Sequence, residues 1–168
     1  MVPKPIGGIA IKSPIPSKIS DSLDFSNDQV IFYDPNLADC EILLSGLKPN
    51  ILTKEIKSKD DFFNELSNLG SGFKKNLYIL CHGSAGRLFF GGDFIDTNTL
   101  LEKSSILKTL SIENILLYSC KVGQDKSFIN SLKSISKSNI FYSDELVGHE
   151  DKGGSWNLSS SLYENKEL

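Results

Sequence analysis

Apolar positions along this chain gather into short continuous runs, and between the runs they recur with helical spacing. Val30-Ile31-Phe32-Tyr33, Leu77-Tyr78-Ile79-Leu80, Ile115-Leu116-Leu117-Tyr118 and Ile140-Phe141-Tyr142 are each closed by turn-forming or polar residues. Runs of this kind read as strands buried on both faces, as in a parallel sheet. Ile51 to Ile56 is a weaker strand, apolar at its ends, and Ser155-Trp156-Asn157-Leu158 opens a last one. Leu37, Ile42, Leu43, Leu44 and Leu47 predict a helix ending near Gly46. Ser58 is placed to cap a second, whose stripe is Phe62, Phe63, Leu66 and Leu69, with Gly70-Ser71-Gly72 beyond it. Thr97 or Asn98 caps a third containing Leu100, Leu101, Ile106 and Leu107, and Phe128, Ile129, Leu132 and Ile135 line a fourth. Arg87 to Ile95, with Gly91-Gly92 at its centre, predicts a hairpin. Strands alternating with helices of this length predict an α/β fold: a mostly parallel six-stranded sheet with helices on both faces.

Residues 1–27 break this rhythm. Pro3, Pro5, Pro14 and Pro16 are scattered among Ser, Lys and Gly, and such a composition buries too little surface to offset its ordering entropy, so a flexible leader is expected. Residues 28–168 form one domain, long enough for a sizeable core. A net charge of -3 and 23% charged residues give no electrostatic reason to expect nucleic acid as a partner. No apolar stretch is long enough for a membrane span, and the N-terminus lacks the apolar centre of a secretory signal. The default compartment is therefore the cytoplasm, with export by a signal-less route as the exception. Three cysteines, Cys40, Cys81 and Cys120, read as free thiols in a reducing setting.

Two strands end in reactive side chains: Leu77 to Leu80 runs into Cys81-His82-Gly83, and Ile115 to Tyr118 runs into Ser119-Cys120. Ligands of open α/β sheets bind beyond the carboxyl ends of the strands. If these two strands are neighbours, an imidazole and a thiol meet in one crevice, the arrangement of a cysteine–histidine dyad. A free thiol has a pKa near ~8.5 and needs a base to become a nucleophile. His82 would be that base and Cys120 the nucleophile. Gly83 opens space for a substrate carbonyl, and the backbone N–H groups of Gly83 and Cys120 are candidate oxyanion donors. Side chains alternate along a strand, so if His82 faces the crevice Cys81 faces the core.

The pattern resembles the caspase-like cysteine peptidases, whose apolar strands end in His-Gly and in a small residue followed by Cys. The stretch from Val30 to Leu158 is similar to a caspase-like domain of unknown function found near the N-termini of large repeat-rich bacterial surface proteins. The matching segments are Cys81-His82-Gly83-Ser84-Ala85-Gly86-Arg87-Leu88, Ile115-Leu116-Leu117-Tyr118-Ser119-Cys120-Lys121-Val122 and Gly153-Gly154-Ser155-Trp156-Asn157-Leu158. The resemblance implies a caspase-like three-layer sandwich and a cysteine endopeptidase or self-processing domain acting on a protein or peptide. A catalytically inactive caspase-like adaptor, associated with a bacterial surface or secreted system, is the alternative. A thiol-based sensor is a third reading.

Ser84 and Arg87, beside the dyad, and Asp144 and Glu145, after the fifth strand, are weaker candidates for a substrate pocket. Cys40 falls on the apolar side of its helix, His149 in a polar loop, and Trp156 under the sheet edge. No metal is expected, because Cys81 and His82 are adjacent and no CxxC pair exists. No nucleotide cofactor is expected either, because Gly83-Ser84-Ala85-Gly86 lacks the spacing and Lys of a phosphate loop.

Overall fold

The computed structural model describes residues 28–37, 51–147, 154 and 157–164. In chain order its elements are β1 (Gln29–Tyr33), β2 (Leu52–Glu55), α1 (Lys59–Leu69), β3 (Phe73–Leu80), β4 (His82–Ser84), β5 (Arg87–Phe90) and β6 (Asp93–Ile95). There follow α2 (Thr97–Glu102), α3 (Ser104–Leu107), β7 (Ser111–Tyr118), a 3-10 turn (Val122–Gln124), α4 (Lys126–Ser136), β8 (Asn139–Tyr142) and β9 (Ser159–Ser161). The expected leader, most of the helix expected over 37–47, Cys40, His149 and Trp156 lie outside the described residues.

The main sheet has six strands in the order β2-β1-β3-β7-β8-β9. All neighbours are parallel except β9, which runs antiparallel to β8. The fold is therefore α/β with a mixed, mostly parallel sheet, in agreement with the apolar runs. Alternation splits each central strand between two clusters. Val30, Phe32, Leu77, Ile79, Ile115, Leu117 and Ile140 face one side, where Phe62, Phe63 and Leu66 of α1 and Phe128, Ile129 and Leu132 of α4 cover them. Ile31, Tyr78, Leu80, Leu116 and Tyr118 face the other, with Leu37, Val147 and Leu158 packed against them. Full burial of one such side chain contributes about 1.5–3 kcal/mol, so these two layers dominate the stability of the domain. Every described helix with a buried residue packs on the first face.

Local chemistry sets the helix ends. Ser58 accepts a hydrogen bond from the Asp61 N–H at 3.1 Å, and Gly70 closes α1 with φ 62°. The cap of α2 differs from expectation: Asp96, not Thr97 or Asn98, accepts from the Thr99 N–H, and Thr99 returns the contact to the Asp96 N–H. This reciprocal pair starts the helix one residue earlier than a lone Thr cap would. The stretch over Leu100 to Leu107 is also two short helices broken at Lys103 rather than one.

A row of side-chain amides crosses the sheet at the amino-terminal end of its buried region. Asn139 donates to Asn114 (3.0 Å), Asn114 to Asn76 (2.9 Å) and Asn76 to Gln29 (3.0 Å). These four are register partners on β8, β7, β3 and β1. The Tyr163 N–H caps the row by donating to Asn139, and the Tyr78 hydroxyl also donates to Gln29. Immediately past Asn76 and Asn114 the two central strands become buried at every position.

Candidate active site

β3 and β7 are neighbours, and Leu80 is paired with Tyr118 at their carboxyl ends. The chain segments carrying His82 and Cys120 therefore leave the sheet side by side. They do not leave as straight extensions of the strands. β3 stops at Leu80, and after Cys81 the chain enters a small antiparallel sheet, β4-β5-β6, separate from the main one.

Cys81 closes the junction. Its N–H reaches the Tyr118 carbonyl at 3.4 Å, and its sulfur lies 3.1 Å from the Ser119 hydroxyl. The thiol is fully buried, which pushes its pKa up to about 12, against a smaller opposing effect from the Ser119 hydrogen bond. Cys81 is thus a core thiol, as alternation along the strand requires, and not a nucleophile.

Gly83 is the point of closest approach between the two segments. A β-carbon there would fall 2.8 Å from the Cys120 carbonyl oxygen and 2.8 Å from the Ser119 β-carbon. The turn of the β4–β5 hairpin makes a second clamp. Gly86, at φ +69°, donates its N–H to the Val122 carbonyl at 3.0 Å, and a β-carbon there would meet Asp125 Oδ2 at 2.6 Å. Two glycines on one hairpin thus press against one side of the Ser119–Asp125 segment, and neither position has room for a side chain.

The opposite side of that turn is held by the residues after β8. Gly123 donates to the Ser143 carbonyl at 2.9 Å and Lys121 to the Glu145 carbonyl at 2.8 Å. The Gln124 side-chain amide donates to the Asp144 carbonyl at 3.0 Å, and Lys126 pairs with Asp144 at 2.7 Å. Lys121 itself adopts the left-handed conformation, φ 60° and ψ 9°, directly after Cys120. For a non-glycine residue this backbone costs about 1–2 kcal/mol, and the clamps on either side hold it there.

Cys120 is half-buried, and its sulfur accepts the Val147 N–H at 3.3 Å. The Val147 carbonyl lies 3.8 Å from the same sulfur. His82 is exposed on β4, opposite Phe89. Among the described residues no hydrogen bond joins its ring to Cys120, whose sulfur is engaged by Val147. The structure therefore brings the His82-Gly83 segment onto the Cys120 segment through Gly83, with the imidazole in solvent beside it.

The four weaker pocket candidates separate. Ser84 and Arg87 line an open cleft of about 410 Å³ together with Asp96, Thr97, Asn98 and Asp125. Asp144 and Glu145 do not line it; Asp144 pairs with Lys126, and Glu145 serves through its carbonyl. Hydrogen bonds to Thr99 and the charge of Arg87 hold the Asp96 carboxyl below its usual range. Among the described residues no three His, Cys, Asp or Glu side chains converge as a metal site would require. No helix among them is long and apolar enough to cross a membrane.

Val147 and Lys121 were not foreseen from the sequence. Val147 acts through its backbone, which no residue pattern reports, and a lysine carries no preference for the left-handed turn that Lys121 makes.

Fold and site together define an α/β domain with a thiol and an imidazole at the carboxyl rim of adjacent parallel strands. The chain belongs to DUF4347, a family of domains of unknown function, with the match spanning residues 30–167. No curated protein and no solved structure matches it.

Proposed function

We propose that this domain is a caspase-like cysteine endopeptidase, or a self-processing domain of the same chemistry, with Cys120 as nucleophile and His82 as general base and acid. The observation that supports this reading is the close approach of Gly83 to the Ser119 β-carbon and the Cys120 carbonyl, which sets the His82 segment against the Cys120 segment. Catalytic hydrogen bonds are often long in the absence of substrate, so an exposed His82 ring is compatible with the role.

In this reaction the Cys120 thiol gives its proton to His82 and the sulfur bonds the substrate carbonyl carbon. The Gly83 and Cys120 N–H groups are the donors for the resulting oxyanion. Collapse breaks the C–N bond while the imidazolium returns the proton to the leaving amine. Water then releases the acyl half from the sulfur and regenerates the thiol. The caspase-like three-layer sandwich, the peptide substrate and an origin in a bacterial surface protein belong to the same proposal, and the resemblance of the His-Gly and Ser-Cys motifs supports them.

The test is the alkylation rate of Cys120 by iodoacetamide as a function of pH, followed by peptide mass mapping, in wild type and His82→Ala. A coupled dyad gives a Cys120 profile that moves when His82 is removed. A Cys120 rate indifferent to His82 sinks the peptidase reading and leaves the adaptor.

A further inference from the structure

The segment Ser143–Val147 runs along the Cys120 turn like a strap. Its contacts follow in order: Ser143 accepts from Gly123, Asp144 from Gln124, Glu145 from Lys121, and Val147 donates to the Cys120 sulfur. Ser143 stiffens the strap internally, its hydroxyl bonding both the N–H and the carbonyl of Glu145 at 3.0 and 3.1 Å. At the far end the Val147 side chain is packed against the second-face cluster beneath the sheet rim. The N–H that meets the sulfur is therefore positioned from three directions: by the ladder along the turn, by the internal turn of the strap and by an apolar anchor.

We propose that this strap is the positioning element of the Cys120 thiol, with the Val147 backbone N–H as the donor that seats the sulfur. The N–H fixes the direction in which the sulfur projects, and the Val147 carbonyl, 3.8 Å from the sulfur, is the acceptor for the thiol proton. Val147 is a positioning residue: it acts through Cys120, by its backbone N–H, with its side chain as the anchor that holds that N–H in place. Its importance for catalysis rests on the peptidase reading above, whereas the seating of the sulfur does not.

Proline at position 147 removes the N–H and alanine keeps it, so the two variants are compared with each other. Val147→Pro and Val147→Ala should differ about fivefold in Cys120 alkylation rate at pH 7, because only the alanine variant keeps the N–H that seats the sulfur. Equal rates at pH 7 overturn the proposal. If Val147→Pro fails to fold, amide hydrogen exchange decides: the Val147 N–H should exchange at least about tenfold faster in Cys120→Ala than in wild type. Unchanged exchange overturns the proposal equally. Exchange at Val147 that responds to Cys120 while Cys120 reactivity ignores His82 would retain the strap and reject the peptidase.

Discussion

Cys81 and Cys120 leave the same rim of the sheet with opposite fates. Cys81 is enclosed and bonded to Ser119, whereas Cys120 is half-buried and meets only the backbone of the strap. Burial raises the Cys81 pKa from 9.0 to about 12. The folded state thus prefers the neutral thiol more than the unfolded chain does. Its stabilising effect is complete below about pH 9 and is lost as pH rises towards 12. Burial raises the Tyr78 hydroxyl as well, so both groups push in the same direction. Urea midpoints should fall between pH 9 and pH 11, and less steeply in Cys81→Ala than in wild type. Alkylation of the native protein near neutrality should mark Cys120 and spare Cys81.

Two other residues carry local strain of different kinds. Lys137 ends α4 in the left-handed conformation, φ 59°, with its N–H on the Lys133 carbonyl. Glycine is the residue for that position, and Lys137→Gly should stabilise by ~1 kcal/mol, read as a melting temperature higher by about 2–4 °C. Gly83 is the opposite case, because the position is closed by backbone that cannot step aside. Gly83→Ala should cost about 1–3 kcal/mol in urea unfolding and should also change the Cys120 alkylation rate, since the methyl group presses on Cys120 itself.

At the scale of elements, the row of amides aligns four strands that apolar alternation alone would let slip by two positions. Asn76, Asn114 and Asn139 each accept from one side and donate to the other, so removing the inner Asn114 breaks two contacts. Asn114→Ala takes the donor from the Asn76 Oδ1 and the acceptor from the Asn139 Nδ2 and should cost about 2 kcal/mol, measured as a lower urea midpoint at unchanged slope. The row was not foreseen, although Asn76, Asn114 and Asn139 each immediately precede an apolar run. The strands β1, β3, β7 and β8, the helices α1 and α4 and the β5–β6 hairpin were readable, each from a run, stripe or turn signal that left one interpretation.

Elements that depend on backbone were not readable. A last strand was expected to open at Ser155–Leu158, but β9 is the three serines that follow, held by pairing with β8 and by a Lys133 contact to Ser161, so its bounds were not legible. The cap of α2 was expected at Thr97 or Asn98, and the Asp96–Thr99 geometry puts it at Asp96 instead. The small sheet β4-β5-β6 was half legible, because a hairpin was expected but not the turning of His82 into it. In the site, the apolar runs marked the two reactive strands but left their adjacency open, and the β3–β7 register supplies it. The strap around Cys120 is made of carbonyls and N–H groups and had no sequence signature.

For the molecule as a whole, stability is graded across the sheet. β3 and β7 lie at the centre, covered on one face by helices and on the other by the second cluster, whereas β2 and β9 are edges. Amides from Tyr78 to Leu80 and from Leu116 to Tyr118 should exchange only through global unfolding, with those of β2 and β9 opening first. An order reversed in hydrogen exchange would mean that the rim carrying the thiol, and not the edge, is the weak part of the fold.

The amide row and the reactive rim occupy opposite ends of the same strands. Asn76 and Leu80 are four positions apart on β3, about 13 Å along an extended strand. Strand alignment is decided at one end and chemistry at the other, with only packed aliphatic and aromatic side chains between them. Variation is thereby partitioned: the hairpin, the turn after Cys120 and the strap can be rewritten, or exchanged with those of another domain of this family, while the amides keep the strands in place. What the rim carries can change while the fold is kept.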